Sequence, residues 1–232
     1  RVLAVTLARG GSKGIKNKNI ILINKKPLIY YTISEALKSK YIDDYIVSTD
    51  SKKIKKISEN CGAYVPFLRP KYLSSNRASS VSALQHAVEF MEKKNKYTYD
   101  IIVELMCTNP LKDHRDIDAC IKRLAILKAD SVIAMHELID HHPIRIKKIV
   151  DGKIKNFILQ EKPETRRQDL KPKAYIRSGS IYTLSRSHLM DDARRYGSKK
   201  SYPYILNKEK AINIDEQDDL FLASYKLKRL RK

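Results

Sequence analysis

The chain has 232 residues, of which 47 are lysine or arginine and 26 are aspartate or glutamate, so its formal net charge is +21. This length suits one well-buried α/β domain, and no apolar stretch reaches the roughly 18 residues of a membrane span. The charge favours a polyanionic partner, which could be nucleic acid, an anionic membrane or a phosphorylated small molecule. Because the cations are spread along the chain, we favour a solvated basic surface with one small anionic site.

The cysteines and the start of the chain bear on its compartment. Cys61, Cys107 and Cys120 show no CxxC spacing, so neither structural disulfides nor a zinc site is expected. The sequence begins at Arg1 without methionine, which suggests a trimmed chain, and its first apolar run is too short for a signal peptide. We therefore expect a protein of the reducing cytoplasm.

Apolar runs of strand length alternate with stretches of helical period over the first 135 residues. The predicted strands are Val2–Leu7 and residues 45–48, 63–68, 101–106 and 131–135. One predicted helix begins after Pro27, and three more cover residues 54–61, 80–94 and 113–128. Continuous apolar strands separated by helices predict an α/β fold with a mostly parallel sheet that is covered on both faces.

The alternation stops at residue 136. Residues 136–173 are polar and basic, so we predict an excursion from the sheet that serves as a lid or an interface arm. A strand at 180–184 and a helix over 215–230 then resume the pattern. No linker or repeat divides the sequence, and residues 1–232 are predicted to form a single domain.

In open α/β sheets, ligands bind at the carboxyl ends of the strands. The loops predicted at that edge are residues 8–19, 48–51, 69–80, 107–112 and 136–143. The first of them reads ARGGSKGIKNKN and combines three glycines with four cations. Ser12 breaks the GxGxxG pattern, and Ile15 after Gly14 breaks the P-loop pattern. Glycines still allow backbone N–H groups to approach an anion, and Arg9 can bind phosphate oxygens in pairs. From these residues alone, a phosphate site and a mobile basic turn remain equal alternatives.

Residues 7–19, LARGGSKGIKNKN, closely resemble the start of the acylneuraminate cytidylyltransferases, the CMP-sialic acid synthetases. Further segments of the chain follow in the order found in that family. They are VSTDS at 47–51, LRPKYLSSNRASS at 68–80, CTNPLK at 107–112, HHP at 141–143, RRQDL at 166–170, SGSIYTL at 178–184 and INID at 212–215. The likeness therefore runs nearly the whole length of the chain.

The resemblance implies an activity and a fold. Members of the family join CTP to a nine-carbon 2-keto sugar acid, a nonulosonic acid, and release pyrophosphate and a CMP-sugar with the help of Mg²⁺. Their fold is a three-layer α/β/α nucleotidyltransferase sandwich that forms a homodimer through an inserted arm, which residues 136–173 would match. No membrane contact is expected, and nucleic acid is not the expected partner.

The resemblance also implies site residues by position. The triphosphate would be held by Arg9, Ser12, Lys13, Lys18 and Asn19. The cytidine pocket would be lined by Arg69, Ala78 and Ser80. The sugar acid would face Arg167 and Tyr182, and the metal would be bound by Asp215 with Asn213. The residues with a catalytic role would be Arg9, Lys18 and Asp215.

Three positions depart from the family pattern. Asn213 replaces the first acid of an Asp-x-Asp motif, which removes one ligand charge and leaves the number of metal ions open. Met106 replaces a glutamine and cannot hydrogen-bond a sugar amide, so a legionaminate-type acceptor becomes as credible as sialic acid. Ser178 stands where the family has asparagine.

Simpler roles compete with these assignments. Asp215 could only cap the helix that follows it, Tyr182 could fill the core, and Asp50 could be a turn residue. His141 and His142 are expected at a surface or interface, because no acid partner or ligand spacing accompanies them. For the whole chain, the alternatives are a nucleotidyltransferase for another sugar or nucleotide and, less favoured because tryptophan is absent, a nucleic-acid-binding protein.

Overall fold

A twisted sheet of six strands forms the centre of the computed structural model, which describes residues 1–12, 14–75, 77–138, 141–159 and 166–230. The strands are β1 (Val2–Leu7), β2 (Leu22–Ile23), β3 (Lys26–Pro27), β4 (Asp44–Ser48), β5 (Ile101–Leu105), β6 (Ser131–Leu138), β7 (Lys147–Val150), β8 (Lys153–Asn156), β9 (Ala174–Ser185) and β10 (Ser201–Ile205). The central sheet has the order β10–β6–β9–β5–β1–β4, while β2–β3 and β7–β8 form separate pairs.

Helices pack on both faces of this sheet. They are α1 (Leu28–Ala36), α2 (Lys52–Asn60), α3 (Ser80–Asn95), α4 (His114–Leu127), α5 (Arg186–Met190) and α6 (Gln217–Leu230). Apolar residues of α1, α2, α4 and α6 form one buried cluster with the sheet, and those of α3 and α5 form a second cluster on the opposite face. The predicted three-layer α/β/α architecture is confirmed. In the described part of the chain, no helix combines the length and apolar character needed to cross a membrane.

The strand directions confirm a mostly parallel sheet. β1 pairs in parallel with β4 and β5, and β10 pairs in parallel with β6. β9 is antiparallel to both of its neighbours, β5 and β6. The carboxyl ends of β1, β4 and β5 therefore lie at one edge, which is where the predicted ligand loops begin.

Proline explains two of the differences between the predicted and the observed strands. Residues 63–68 make only isolated bridges at Tyr64 and Leu68 instead of a strand, because Pro66 lies between them and has no N–H to donate to a ladder. β10 was not predicted, since Pro203 interrupts its apolar pattern. It is tolerated because β10 is an edge strand of the sheet.

The excursion at 136–173 grows out of a long antiparallel ladder, in which Met135 pairs with Arg177 and Leu138 with Ala174. Beyond that ladder, β7 and β8 form a hairpin whose two turn residues have positive φ angles, as type I′ turns require. His142, predicted at a surface or interface, is instead buried within the excursion. Its Nε2 lies 2.9 Å from the carbonyl oxygen of Pro172, and its Nδ1 accepts a bond from the Ile144 N–H.

Candidate active site

The loops that follow β1 and β5, together with the segment from Arg69 to the first turn of α3, surround two adjoining cavities of about 330 and 300 Å³. Both cavities are lined by Leu7, Arg9 and Asn19. The smaller is completed by Ser12, Gly14 and Lys18, so it holds the described members of the predicted triphosphate group. The larger is lined by the predicted cytidine residues Arg69, Ala78 and Ser80. Lys13 lies outside the described residues.

The glycine-rich loop is tied to the neighbouring strand ends. The Gly10 N–H donates to Asp50 Oδ1 at 2.9 Å, and the Ala8 N–H donates to the Ser48 carbonyl at 3.0 Å. At the far end of the loop, Asn19 Nδ2 donates to the Arg9 carbonyl at 3.1 Å. Asp50, which could have been only a turn residue, therefore positions the loop. These bonds hold its backbone in a defined shape around the smaller cavity.

Lys18 and Asp215 meet at the wall of that cavity. Lys18 Nζ lies 2.9 Å from Asp215 Oδ1 and donates to the Ile214 carbonyl at 2.8 Å, although the residues are 197 positions apart in the chain. Gly14 packs against the same segment: a Cβ on Gly14 would stand 2.7 Å from the Asp215 carbonyl oxygen. The tertiary fold thus brings the first loop and the segment before α6 into direct contact.

Asp215 does not cap α6. The backbone N–H groups of Asp215 and Glu216 both donate to Asp219 at 2.8 Å, and α6 begins at Gln217. The Asp215 carboxylate is 61% exposed and is contacted on one oxygen by Lys18 and on the other by Asn213 Nδ2. This exposure leaves it accessible to a ligand at the cavity wall.

These residues fit a magnesium site in which the protein supplies one carboxylate and the other ligands come from phosphates and water. Mg²⁺ binds oxygen ligands, keeps several waters and needs only one or two carboxylates when phosphates supply the rest. Asp215 offers one exposed carboxylate beside the smaller cavity. Asn213 now presents its nitrogen to Asp215 and would have to turn its amide over to offer an oxygen. No cluster of three or more acids, histidines or cysteines suited to a metal occurs among the described residues.

The larger cavity is shaped around a buried arginine. Arg69 is 5% exposed, and its Nε donates to Ser74 Oγ at 2.9 Å. Burial lowers the pKa of the Arg69 guanidinium, which the charge of Asp50 opposes and that of Arg9 reinforces. Arg9 Nη1 reaches the Ser75 carbonyl at 3.4 Å. Small side chains, including Ala78 and Ser80, line much of the same cavity.

Glu104 and Met106 line the floor of the larger cavity. Glu104 is buried and accepts a bond from Arg195 Nη1 at 2.6 Å. Burial raises the pKa of Glu104, and the charge of Arg195 opposes that rise. Neither Glu104 nor Arg195 was predicted as a site residue from the sequence. The signal for Glu104 was a single acid inside the apolar run IIVEL, whereas Arg195 lies 91 positions away and had no local signal.

Comparison with known proteins identifies the family. A family model described as "Cytidylyltransferase" matches residues 3–224. The chain belongs to the cytidylyltransferase family. It is 32% identical to a pseudaminic acid cytidylyltransferase of Campylobacter jejuni, over 95% of this chain and 94% of that protein. It is 29% identical to the CMP-N,N'-diacetyllegionaminic acid synthase of the same species, over 97% and 94% of the two chains.

A solved structure shows the same fold. CMP:2-keto-3-deoxy-manno-octonic acid synthetase, in complex with CTP, superposes with a TM-score of 0.71 and covers 99% of both chains at 16% identity. The nucleotidyltransferase fold predicted from the motifs is therefore confirmed for this cytidylyltransferase.

Of the two predicted sugar residues, Tyr182 lies apart from the cavities. Tyr182 of this cytidylyltransferase is 4% exposed, lines neither cavity and has Arg195 Cζ 4.6 Å from its ring centroid. Arg167 belongs to a single 3₁₀ turn, Arg167–Asp169, and its side chain lies outside the described set. Tyr182 therefore does not contribute to either cavity.

A buried lysine holds the turn between the two halves of the site. Lys112 Nζ donates to Thr32 Oγ1 at 2.8 Å, to the Met106 carbonyl at 2.6 Å and to the Asn109 carbonyl at 2.7 Å. The carbonyl of Thr108, which lies between these two carbonyls in the turn, accepts a hydrogen bond from the Ile214 N–H at 2.8 Å. This bond connects the turn after β5 of the cytidylyltransferase directly to the segment that carries Asp215.

Cys107 lies in the same turn and is buried. Burial raises the pKa of its thiol to about 12, although the charges of Lys112 and Lys18 oppose the rise. The thiol therefore stays neutral near pH 7 and acts as small packing, because the thiolate is the reactive form.

Proposed function

We propose that this cytidylyltransferase transfers CMP from CTP to a nonulosonic acid and releases pyrophosphate. The observation behind the proposal is the contact between Lys18 and Asp215 at the wall of the cavity that the glycine-rich loop encloses. That contact sets a cation that lines the cavity beside an exposed carboxylate. The adjoining cavity around Arg69 supplies a place for the base.

The residues suit an in-line displacement at phosphorus. The anomeric hydroxyl of the sugar acid attacks the α-phosphorus, a new O–P bond forms, and the bond to the β-phosphate oxygen breaks with its electron pair leaving on pyrophosphate. Arg9 and Lys18 stabilise the charge that develops on the leaving group, because cations in a partly closed site are worth more than in water. Mg²⁺ bound by Asp215 would polarise the phosphoryl oxygens.

The acceptor is a nonulosonic acid that needs no hydrogen bond from residue 106, where this chain has methionine in place of the glutamine of the resembling family. Met106 offers an apolar surface in the larger cavity where a hydrogen-bonding amide is absent. The two relatives named for pseudaminic and legionaminic acid are 32% and 29% identical to this chain, so identity alone does not choose between such acceptors. Arg167 and Tyr182 remain proposed contacts of the sugar acid.

A panel of keto-sugar acids tests the function. We expect pyrophosphate release when CTP, Mg²⁺ and one of sialic, legionaminic or pseudaminic acid are present together, and none when CTP or the acid is left out. EDTA should abolish release, and excess Mg²⁺ should restore it. Absence of release across the panel and deoxyoctulosonic acid would contradict the proposal. Faster release with UTP or ATP than with CTP would favour a nucleotidyltransferase for another nucleotide.

We also propose that the excursion pairs with a second copy of the chain. Its hairpin region exposes a run of large apolar side chains, with Ile149 78%, Ile154 75% and Ile158 82% exposed. Apolar side chains clustered on one surface are typical of protein interfaces. Replacing Ile149 and Ile154 together with aspartate should therefore convert a dimer into a monomer in analytical ultracentrifugation. A wild-type protein that is monomeric at micromolar concentration would overturn the assignment.

The proposed setting of the reaction is the cytoplasm. Cys61, Cys107 and Cys120 form no disulfide with one another, which suits a reducing compartment. Recovery of the native protein from the periplasmic fraction of its own cells would contradict this proposal.

A further inference from the structure

A third cavity, of about 530 Å³, lies between the ends of β6 and β10 and the last turns of α6. It shares no lining residue with the two cavities of the candidate active site. Its wall is rich in groups that can be cationic. They are His136, His141, Lys208, Lys226 and Arg229.

The acids in this wall are already paired. Glu137 lies 3.3 Å from Lys173 Nζ, and Glu209 contacts Arg229. Lys208 and Lys226 have no ion pair within the ranges that the structure describes. Within the described ranges, the ion pairs of these acids leave the positive charge of Lys208 and Lys226 without a neutralising partner.

The cationic groups of the cavity lower one another's pKa values. Burial lowers the pKa of Lys226, and the charge of Lys208 lowers it further. Burial likewise lowers the pKa of His136, and the charge of Lys226 adds to that effect. Cations held close together in a partly desolvated space favour the binding of an anion, because the anion offsets both their repulsion and their lost hydration.

His136 adds a polar group without a partner. Its Nδ1 is inaccessible to solvent and makes no hydrogen bond with any residue in the described ranges. A buried polar atom that lacks a hydrogen bond is costly, and in native proteins it usually has a function or a missing ligand. Because His136 lines the cavity and a neutral imidazole still carries one N–H, its ring can donate a hydrogen bond to an anionic oxygen there.

An apolar surface lies beside the cations. Tyr225 and Ile205 line the cavity and are 59% and 48% exposed. Such a surface would cover a ring or alkyl group next to the charged end of a ligand. We propose that this cavity binds a small organic anion, in which a phosphate or carboxylate group faces Lys208, Lys226 and His136 and an apolar body packs on Tyr225.

Histidine NMR with phenyl phosphate tests this site directly. The His136 ring signals can be assigned by their loss in His136→Gln. In the wild-type full-length chain, phenyl phosphate should shift them saturably and with higher affinity than inorganic phosphate, while benzyl alcohol should not. Lys226→Gln should weaken phenyl phosphate binding about tenfold, since a charge-assisted contact is lost.

Lys228→Gln is the matched control, because Lys228 is exposed on the same helix and does not line the cavity. It should leave the affinity unchanged, and neither variant should alter kcat/KM for CTP. A His136 response no larger than that produced by sodium chloride at equal ionic strength would overturn the proposal. So would equal weakening by both variants, or a His136 signal that follows protein concentration and not the ligand.

Discussion

Replacing Asp215 with asparagine is expected to lower kcat by about 10³-fold, because a metal-bound carboxylate contributes several kcal/mol to stabilising the transition-state charge. The substitution keeps the shape of the side chain and removes only its charge. Asp215 is 61% exposed, and an ion pair of this exposure to Lys18 contributes about 1 kcal/mol or less to stability. The loss should therefore appear in the rate and not in the melting temperature.

Two further variants separate the role of Lys18 from that of Asp215. Lys18→Met should lower the rate without changing the Mg²⁺ concentration that gives half-maximal activity, whereas Asp215→Asn should raise that concentration. Glu216→Gln is the matched control, because Glu216 is exposed and adjacent to Asp215. Initial rates of pyrophosphate release over a Mg²⁺ titration provide the measurement. An Asp215→Asn enzyme with wild-type kcat would remove the metal assignment.

Replacing Gly14 with alanine is expected to lower kcat/KM by about 10²-fold, because displacements of about 1 Å at a reacting site cost that much. The new Cβ would stand 2.7 Å from the Asp215 carbonyl oxygen, which is a backbone atom and cannot turn aside. Either the loop or the segment before α6 must then move, and Lys18 and Asp215 would no longer meet as they do. The loop lines the smaller cavity, and the segment touches the loop at Lys18 and Gly14.

Gly11→Ala is the control for this substitution, since a Cβ on Gly11 would meet nothing within 4 Å. Neither glycine has a positive φ angle, so backbone strain does not separate the two variants. Steady-state kinetics with CTP as the varied substrate should show the loss in Gly14→Ala alone. Equal activity of the two variants would show that the contact with Asp215 does not shape the site.

The local chemistry of several elements was readable before the fold was known. The apolar run of β1 followed at once by glycines and cations located both a buried strand and the loop that borders the smaller cavity. The N-terminus of α4 was also readable, because Asp113 and Asp116 form a capping box within four consecutive residues. These features depend on neighbours in the chain, which is why the pattern of residues predicts them.

Contacts between distant segments were not readable in the same way. β9 is antiparallel because the chain returns from the excursion along β6 and pairs with it. The residue pattern within β9 does not indicate this direction. Glu104 and Arg195 form an ion pair across 91 positions, and the cationic cavity beside α6 unites residues from β6, β10 and α6.

The sequence by itself determined the α/β class and the mostly parallel sheet, since periodicity is a local property. The proposed role of the first loop came from the resemblance to a known family and not from its glycine spacing. Only the tertiary structure decided that Lys18 meets Asp215, that Tyr182 is buried against Arg195 and that His136 Nδ1 makes no hydrogen bond within the described ranges. The physical reason is that burial and electrostatic pairing depend on which surfaces the folded chain brings together, and side chains far apart in sequence supply most of the groups that meet there.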